Sequence, residues 1–166
     1  MKQYETHTFP PVYDEHSMIL ILGSFPSVKS REEGFFYGHP RNRFWKVISS
    51  IYEKEEPQTI EEKKALLLEC RIALWDVIAS CEIEGSADSS IENVVVNDLT
   101  PILRNSMVTR IMVNGKTAAK LYHKYLYPVT KIKAVELPST SPANASFSLE
   151  RLIRDWKERI SNEIQS

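Results

Sequence analysis

Cysteine is scarce in this 166-residue chain, with only Cys70 and Cys81 present. No further cysteine or histidine pair stands at metal-ligand spacing, so two reduced thiols in buried or half-buried segments are expected rather than a disulfide or a metal site. No apolar run approaches the ~20 residues that span a bilayer. Met1 to Thr8 is polar, so no signal peptide is expected, and the chain is read as soluble and cytoplasmic. An excess of one charge is also missing: 21 Lys and Arg face 22 Asp and Glu. That balance excludes a wholesale basic coat but leaves room for a local basic face. No repeat, low-complexity run or linker divides the chain, and a 42% hydrophobic content suits one domain over residues 1–166.

What is present is an alternation of apolar strands with amphipathic helices. Met18 to Leu22 is a continuous apolar run stopped by Gly23, the pattern of a strand buried on both faces. Ile72 to Ile78, Val108 to Val113 and Lys131 to Leu137 read as three further strands. Helices are expected over Arg43 to Tyr52, Ile60 to Cys70, Lys116 to Tyr125 and Leu149 to Ile160, and Thr100-Pro101 starts a short one. Repeated strand–loop–helix units predict a three-layer α/β/α sandwich around a central four-stranded parallel sheet. Ligands of such folds sit at the carboxyl ends of the strands. Four loops are singled out by that rule: those after Leu22 and Trp75, Asn114-Gly115, and "LPSTSPANAS" after Glu136.

Several familiar chemistries fail on inspection. Gly23 is not followed by a Gly-Lys-Ser/Thr ending and Pro26 interrupts its loop, which excludes a nucleoside triphosphate site. Ser24 and Ser139 lack the flanking glycines of a nucleophile elbow. His123 suits a solvated helix face, and His7 and His16 carry no signal. The unusual stretch is Phe35 to Trp45, "FFYGHPRNRFW", with Lys29 and Arg31 before it and Arg41 and Arg43 inside it. Phe44 and Trp45 enter a helix and are assigned to the core. Aromatics in a loop with adjacent cations fit a nucleobase pocket beside a phosphate-binding rim.

The run "GSFPSVKSREEGFFYGHPRNRFW", together with "LPSTSPANA", resembles the uracil-DNA glycosylase superfamily, and "ALWDVIASCEIEGSADSSI" is most similar to its hypoxanthine-DNA (deoxyinosine) branch. The resemblance implies an enzyme that flips a deaminated base out of DNA and hydrolyses its bond to the sugar. It implies a monomer that binds DNA containing a deaminated base, with no membrane, metal or cofactor. Branches with an iron–sulfur cluster hold it by four cysteines, which this chain lacks. Two polar positions of the family's site are apolar here, Phe25 in the first loop and Leu137 in the last. The resemblance to the hypoxanthine branch implies that Asn42 of His-Pro-x-Asn is the catalytic residue, its amide able to donate and to accept; capping the next helix is a compatible second role. Gly23, Ser24, Phe25, His39, Asn114 and Ser139 are expected to line the base site. Tyr37 is assigned to stacking on the base, or else to packing the loop. Asp76 is expected to accept from the ring N–H of hypoxanthine, or else to cap a turn. Lys29, Arg31, Arg41, Arg43, Ser139, Thr140, Ser141 and Asn144 are assigned to DNA, with Asn144 partly filling the place of a wedge. Preference for uracil, xanthine or mismatched thymine, or a non-catalytic nucleic-acid-binding module, remain the competing readings.

Overall fold

The structure, a computed structural model, describes residues 1–164. Its central element is β2 (Ile19–Gly23), buried along its whole length between β3 (Ile72–Asp76) and β6 (Arg110–Asn114). β7 (Ala134–Leu137) completes a parallel sheet of order β3-β2-β6-β7. Because side chains alternate along a strand, Ile19 and Ile21 point to one face of the sheet and Leu20 and Leu22 to the other. Each face therefore has its own core. On the first lie α2 (Phe44–Ile51), α3 (Ile60–Glu69) and α7 (Leu149–Ile164), contributing Phe44, Trp45, Ile48, Leu67 and Trp156. The second is covered by α4 (Thr100–Arg104), α5 (Lys116–Leu121) and the short α6 (Tyr127–Thr130), with Ile102, Ala118 and Ala119 packed beneath. This is the expected α/β/α sandwich. Among the described residues no helix is long and apolar enough to cross a membrane.

Two features depart from the sequence-based expectation. A second, antiparallel sheet of order β1-β4-β5 joins Gln3–Thr6 (β1), Ile78–Ile83 (β4) and Glu92–Val96 (β5). The apolar run from Ile72 is accordingly two strands: Val77 separates β3 from β4, and the chain changes sheets there. Asn97 holds the switch point, its Nδ2 donating to the carbonyls of Asp76 (2.9 Å) and Ile78 (3.2 Å) while its N–H bonds Val77. The edge strand β1 is short, polar and largely exposed, so it carries no hydrophobic period to read. The second departure is α1 (Val28–Glu33), a single turn and a half inside the expected loop, capped by Ser27 and ended by Gly34 in the left-handed region (φ 74°).

Candidate active site

The four loops named by the strand-end rule do meet. They line a cleft of about 560 Å³ together with Ser86 to Ser89, a segment between β4 and β5 that was not foreseen. Gly23 brings backbone to the cleft floor. A Cβ there would lie 2.5 Å from Asp76 Oδ1 and 2.9 Å from the Tyr37 hydroxyl, so only glycine lets those two groups converge.

One wall is a hydrogen-bonded chain running from the Phe35–Trp45 segment to the last loop. Asn42 Oδ1 accepts from the N–H of Phe44 (3.0 Å) and from the hydroxyl of Thr140 (2.8 Å). Thr140 in turn accepts from Asn114 Nδ2 (3.0 Å) and gives its N–H to Asn114 Oδ1 (3.1 Å). Asn114 Nδ2 also reaches the Tyr37 hydroxyl at 3.2 Å. The backbone N–H of Phe44 requires an acceptor, which fixes the orientation of the Asn42 amide. Both lone pairs of its oxygen are engaged, so Asn42 presents the cleft with N–H donors and not with the dual donor and acceptor expected from its chemistry alone. Thr140, expected at DNA, is 1% exposed and belongs to this wall.

Tyr37 holds a left-handed backbone (φ 53°) and stacks on Phe44, with ring centroids 4.2 Å apart and planes 16° from parallel. One ring face is thus covered, and a ligand can meet only the edge or the opposite face. Burial, reinforced by the charge of Asp76, holds the Tyr37 hydroxyl above its ordinary pKa, so it stays protonated. Its oxygen accepts from Asn114, and its O–H remains to donate.

The floor holds the residue that the sequence did not disclose. His7 follows β1 and brings Nε2 to 2.8 Å from Asp76 Oδ2, with both side chains at most 5% exposed. His7 is enclosed by Phe9, Phe25 and Phe36, and its Nδ1 is buried without a hydrogen-bond partner. Asp76 is thereby held by one oxygen while the other faces Gly23. No signal near "THTF" could have revealed this, because the pairing crosses from the second sheet to the end of β3. His39 also lines the cleft; its Nδ1 accepts the N–H of Arg41 (3.0 Å), which leaves the ring proton on Nε2.

The expected phosphate rim divides in two. Arg31 donates to the carbonyls of Pro26 and Gly85 and lies over the Phe25 ring. Arg43 donates to the carbonyls of Ser141, Asn144 and Phe147. Both guanidinium groups therefore tie loops together. Lys29 is paired loosely with Glu33 at 3.6 Å, and Arg41 is exposed. Asn144, expected near a wedge, turns inward to donate to the Ser139 carbonyl (3.0 Å), leaving Pro142 and Ala143 at the exposed tip. Trp156 of α7 anchors the same loop by donating to the Pro138 carbonyl at 2.8 Å. Phe25 and Leu137 are both buried. Among the described residues no group of three or more His, Cys, Asp or Glu could hold a metal ion.

A cleft of this size at the carboxyl ends of the strands, polar at its floor and walled by amides and aromatics, is the kind of site in which α/β folds hold small ligands. The chain belongs to the uracil DNA glycosylase superfamily, whose family model matches residues 10–163. It is 38% identical over 150 residues to a hypoxanthine DNA glycosylase of Methanosarcina acetivorans, covering 86% of this chain and 90% of that one. A hypoxanthine DNA glycosylase of Methanosarcina barkeri is 37% identical over 161 residues, covering 90% and 94%. Among solved structures, an NMR structure of a candidate uracil DNA glycosylase from Methanosarcina acetivorans superposes with a TM-score of 0.77 at 35% identity, over 90% of this chain and 92% of that one.

Proposed function

We propose that this chain is a monofunctional DNA glycosylase that draws a deaminated purine, chiefly hypoxanthine, out of DNA and hydrolyses its bond to deoxyribose. The observation that carries the base assignment is the Asp76 carboxylate at the cleft floor, buried and anchored by His7 through one oxygen. Hypoxanthine carries an N–H where adenine has a lone pair. A fixed carboxylate accepts from the former and repels the latter, so the deaminated base is chosen over its parent. The names of the two Methanosarcina relatives support the same base.

The chemistry requires charge to be managed on both sides of the breaking bond. As the bond from sugar C1′ to the base lengthens, the base gains negative charge and the sugar becomes oxocarbenium-like. Asn42, with its oxygen engaged elsewhere, donates N–H to the departing base. Tyr37 supplies a second donor at the floor, and its ring limits how far the base can tilt. His39 Nε2–H, Gly23, Ser24 and Ser139 complete the polar lining, with Phe25 as its apolar part. Exposed Lys29 and Arg41, with Ser139 and Ser141, meet the phosphates flanking the extruded nucleotide. The enzyme works as a single domain over residues 1–166, a cytoplasmic monomer without metal or organic cofactor.

Uracil is the second reading, since its imide N–H offers the same donor to Asp76. The two are separated by incubating the protein with duplexes that each carry one hypoxanthine, uracil, xanthine or mismatched thymine, followed by alkaline cleavage of abasic sites. Strand breaks chiefly at hypoxanthine are expected. Breaks chiefly at uracil would replace the substrate, and binding without breaks would reduce the protein to a nucleic-acid-binding module.

A further inference from the structure

The cleft holds a second carboxylate that the roles above leave unused. Asp88 lies in the short 3-10 turn Asp88–Ser90, within the exposed Ser86–Ser89 segment that forms the cleft mouth. Asp88 is itself exposed, but its carboxyl end reaches into the cleft toward Ser24. Oδ1 accepts from the Ser24 hydroxyl at 3.1 Å. A carboxylate at the entrance of a pocket for a polyanion weakens phosphate binding, so its presence there calls for a use.

Depth supplies that use. An extruded nucleotide enters base first, and Asp76 at the floor meets the base edge. On the glycosylase reading that leaves the sugar at the cleft mouth, which the Asp88 segment lines. The first loop places Phe25, which has no hydrogen-bonding group, beside Ser24, and the Asn42 oxygen is fully engaged by Phe44 and Thr140. Among the cleft-lining groups, Asp88 is thus the carboxylate placed to hold a water against the sugar.

We propose that Asp88 is the catalytic base of this glycosylase, an assignment that rests on the glycosylase reading itself. Water held by its carboxylate attacks C1′ and forms the new C1′–O bond. The C1′–N9 bond breaks with its electron pair going to the purine. The water's proton passes to Asp88 and from it to solvent, and the purine anion takes a proton from solvent after departure, so that water and nucleoside become hypoxanthine and an abasic sugar. Ser24 orients the carboxylate, and its negative charge also favours the oxocarbenium-like sugar. Burial in the cleft, with the nearby charge of Asp76 acting the same way, lifts its pKa above the ordinary carboxylate range, which suits a base.

The test is single-turnover excision from a hypoxanthine duplex by the full chain, with the Kd for that duplex measured alongside. Asp88→Asn keeps an acceptor for Ser24 and removes only the base; its rate is expected to fall about 10²–10⁴-fold with DNA binding unchanged or tighter. Asp88→Ala is expected to fall as far and to be partly restored by added formate, a small carboxylate that re-enters the vacated space. An Asp88→Asn variant that excises at the parent rate overturns the assignment, as does an Asp88→Ala variant that formate does not rescue. If the parent excises no deaminated base, the glycosylase reading fails first, so the two failures are distinct.

Discussion

The hydroxyl of Thr140 donates to Oδ1 of Asn42 across 2.8 Å, joining two loops 98 residues apart in the chain and deciding which end of the Asn42 amide the cleft receives. Thr140→Val keeps the shape of the side chain but removes that donor and the acceptor for Asn114. The amide of Asn42 then has one anchor instead of two. The expected result is a drop of roughly tenfold in single-turnover excision with unchanged DNA affinity, the pattern of an interaction felt only in the transition state. Thr140→Ser is expected to recover most of the rate.

His7 is a positioning residue for Asp76. Replacing it by Ala leaves a buried carboxylate oxygen without its partner, at a cost of about 1–3 kcal/mol in stability. It also frees Asp76 to swing from the base edge. His7→Ala is expected to lower Tm and to narrow the preference for hypoxanthine over adenine, seen as a rise in KM for the hypoxanthine duplex larger than the loss in kcat. His7→Gln, which can still donate to Asp76, is expected to restore part of both.

The carboxyl of Asp88 gives a pH dependence with a definite sign. Burial and the Asp76 charge raise its pKa, and the groups facing it from the neighbouring segments are Ser24, Thr117 and Asp76. A base acts only when ionised, so excision is expected to fall as pH drops through that raised value, at less acidic pH than for an ordinary carboxylate. Because the folded protein holds this proton more tightly than the unfolded chain, the linked stability runs oppositely: it is fully present below the ordinary carboxylate pKa and is lost as pH rises through the raised one. Asp88→Asn is expected to remove that acid limb of the rate profile and to flatten this part of the stability curve.

Arg41 and Arg43 flank Asn42 but do different work. Arg41 is exposed, whereas Arg43 donates to the carbonyls of Ser141, Asn144 and Phe147. Arg41→Ala is expected to weaken DNA binding for every sequence and to reduce the slope of log affinity against log salt by about 1, with Tm unchanged. Arg43→Ala is expected to lower Tm and excision together, because it unties the loop that carries Thr140. Titration of a fluorescent duplex at several salt concentrations, paired with thermal melts, distinguishes them.

Much of the scaffold was legible in the sequence because burial on both faces leaves a mark. Ile19 to Leu22 and Ile111 to Val113 are apolar without interruption, and the strand-end rule then located the cleft. The second sheet left no such mark, since β1 is short and polar and Val77 breaks an apolar run without interrupting its hydrophobicity. Within the site, Asn42 was legible through the family's His-Pro-x-Asn element. His7 could not, because its meaning comes from Asp76, 69 residues away and in a different sheet. Asp88 was hidden for another reason: a serine- and aspartate-rich turn reads as solvent-facing loop, and only the fold turns its carboxylate inward to Ser24. Chemistry alone gave Arg31 and Arg43 to phosphate, although the geometry engages both with backbone carbonyls.

A hypoxanthine base is expected to leave this cleft with the Asn42 amide donating to it. Single-turnover release of hypoxanthine from a duplex by the parent protein and by Asn42→Ala tests it most directly, with thermal melts confirming that both are folded. The predicted result is rapid release by the parent and a rate lower by about 10²–10³-fold in the variant. Equal rates for the two, or a parent that releases no hypoxanthine, would contradict it.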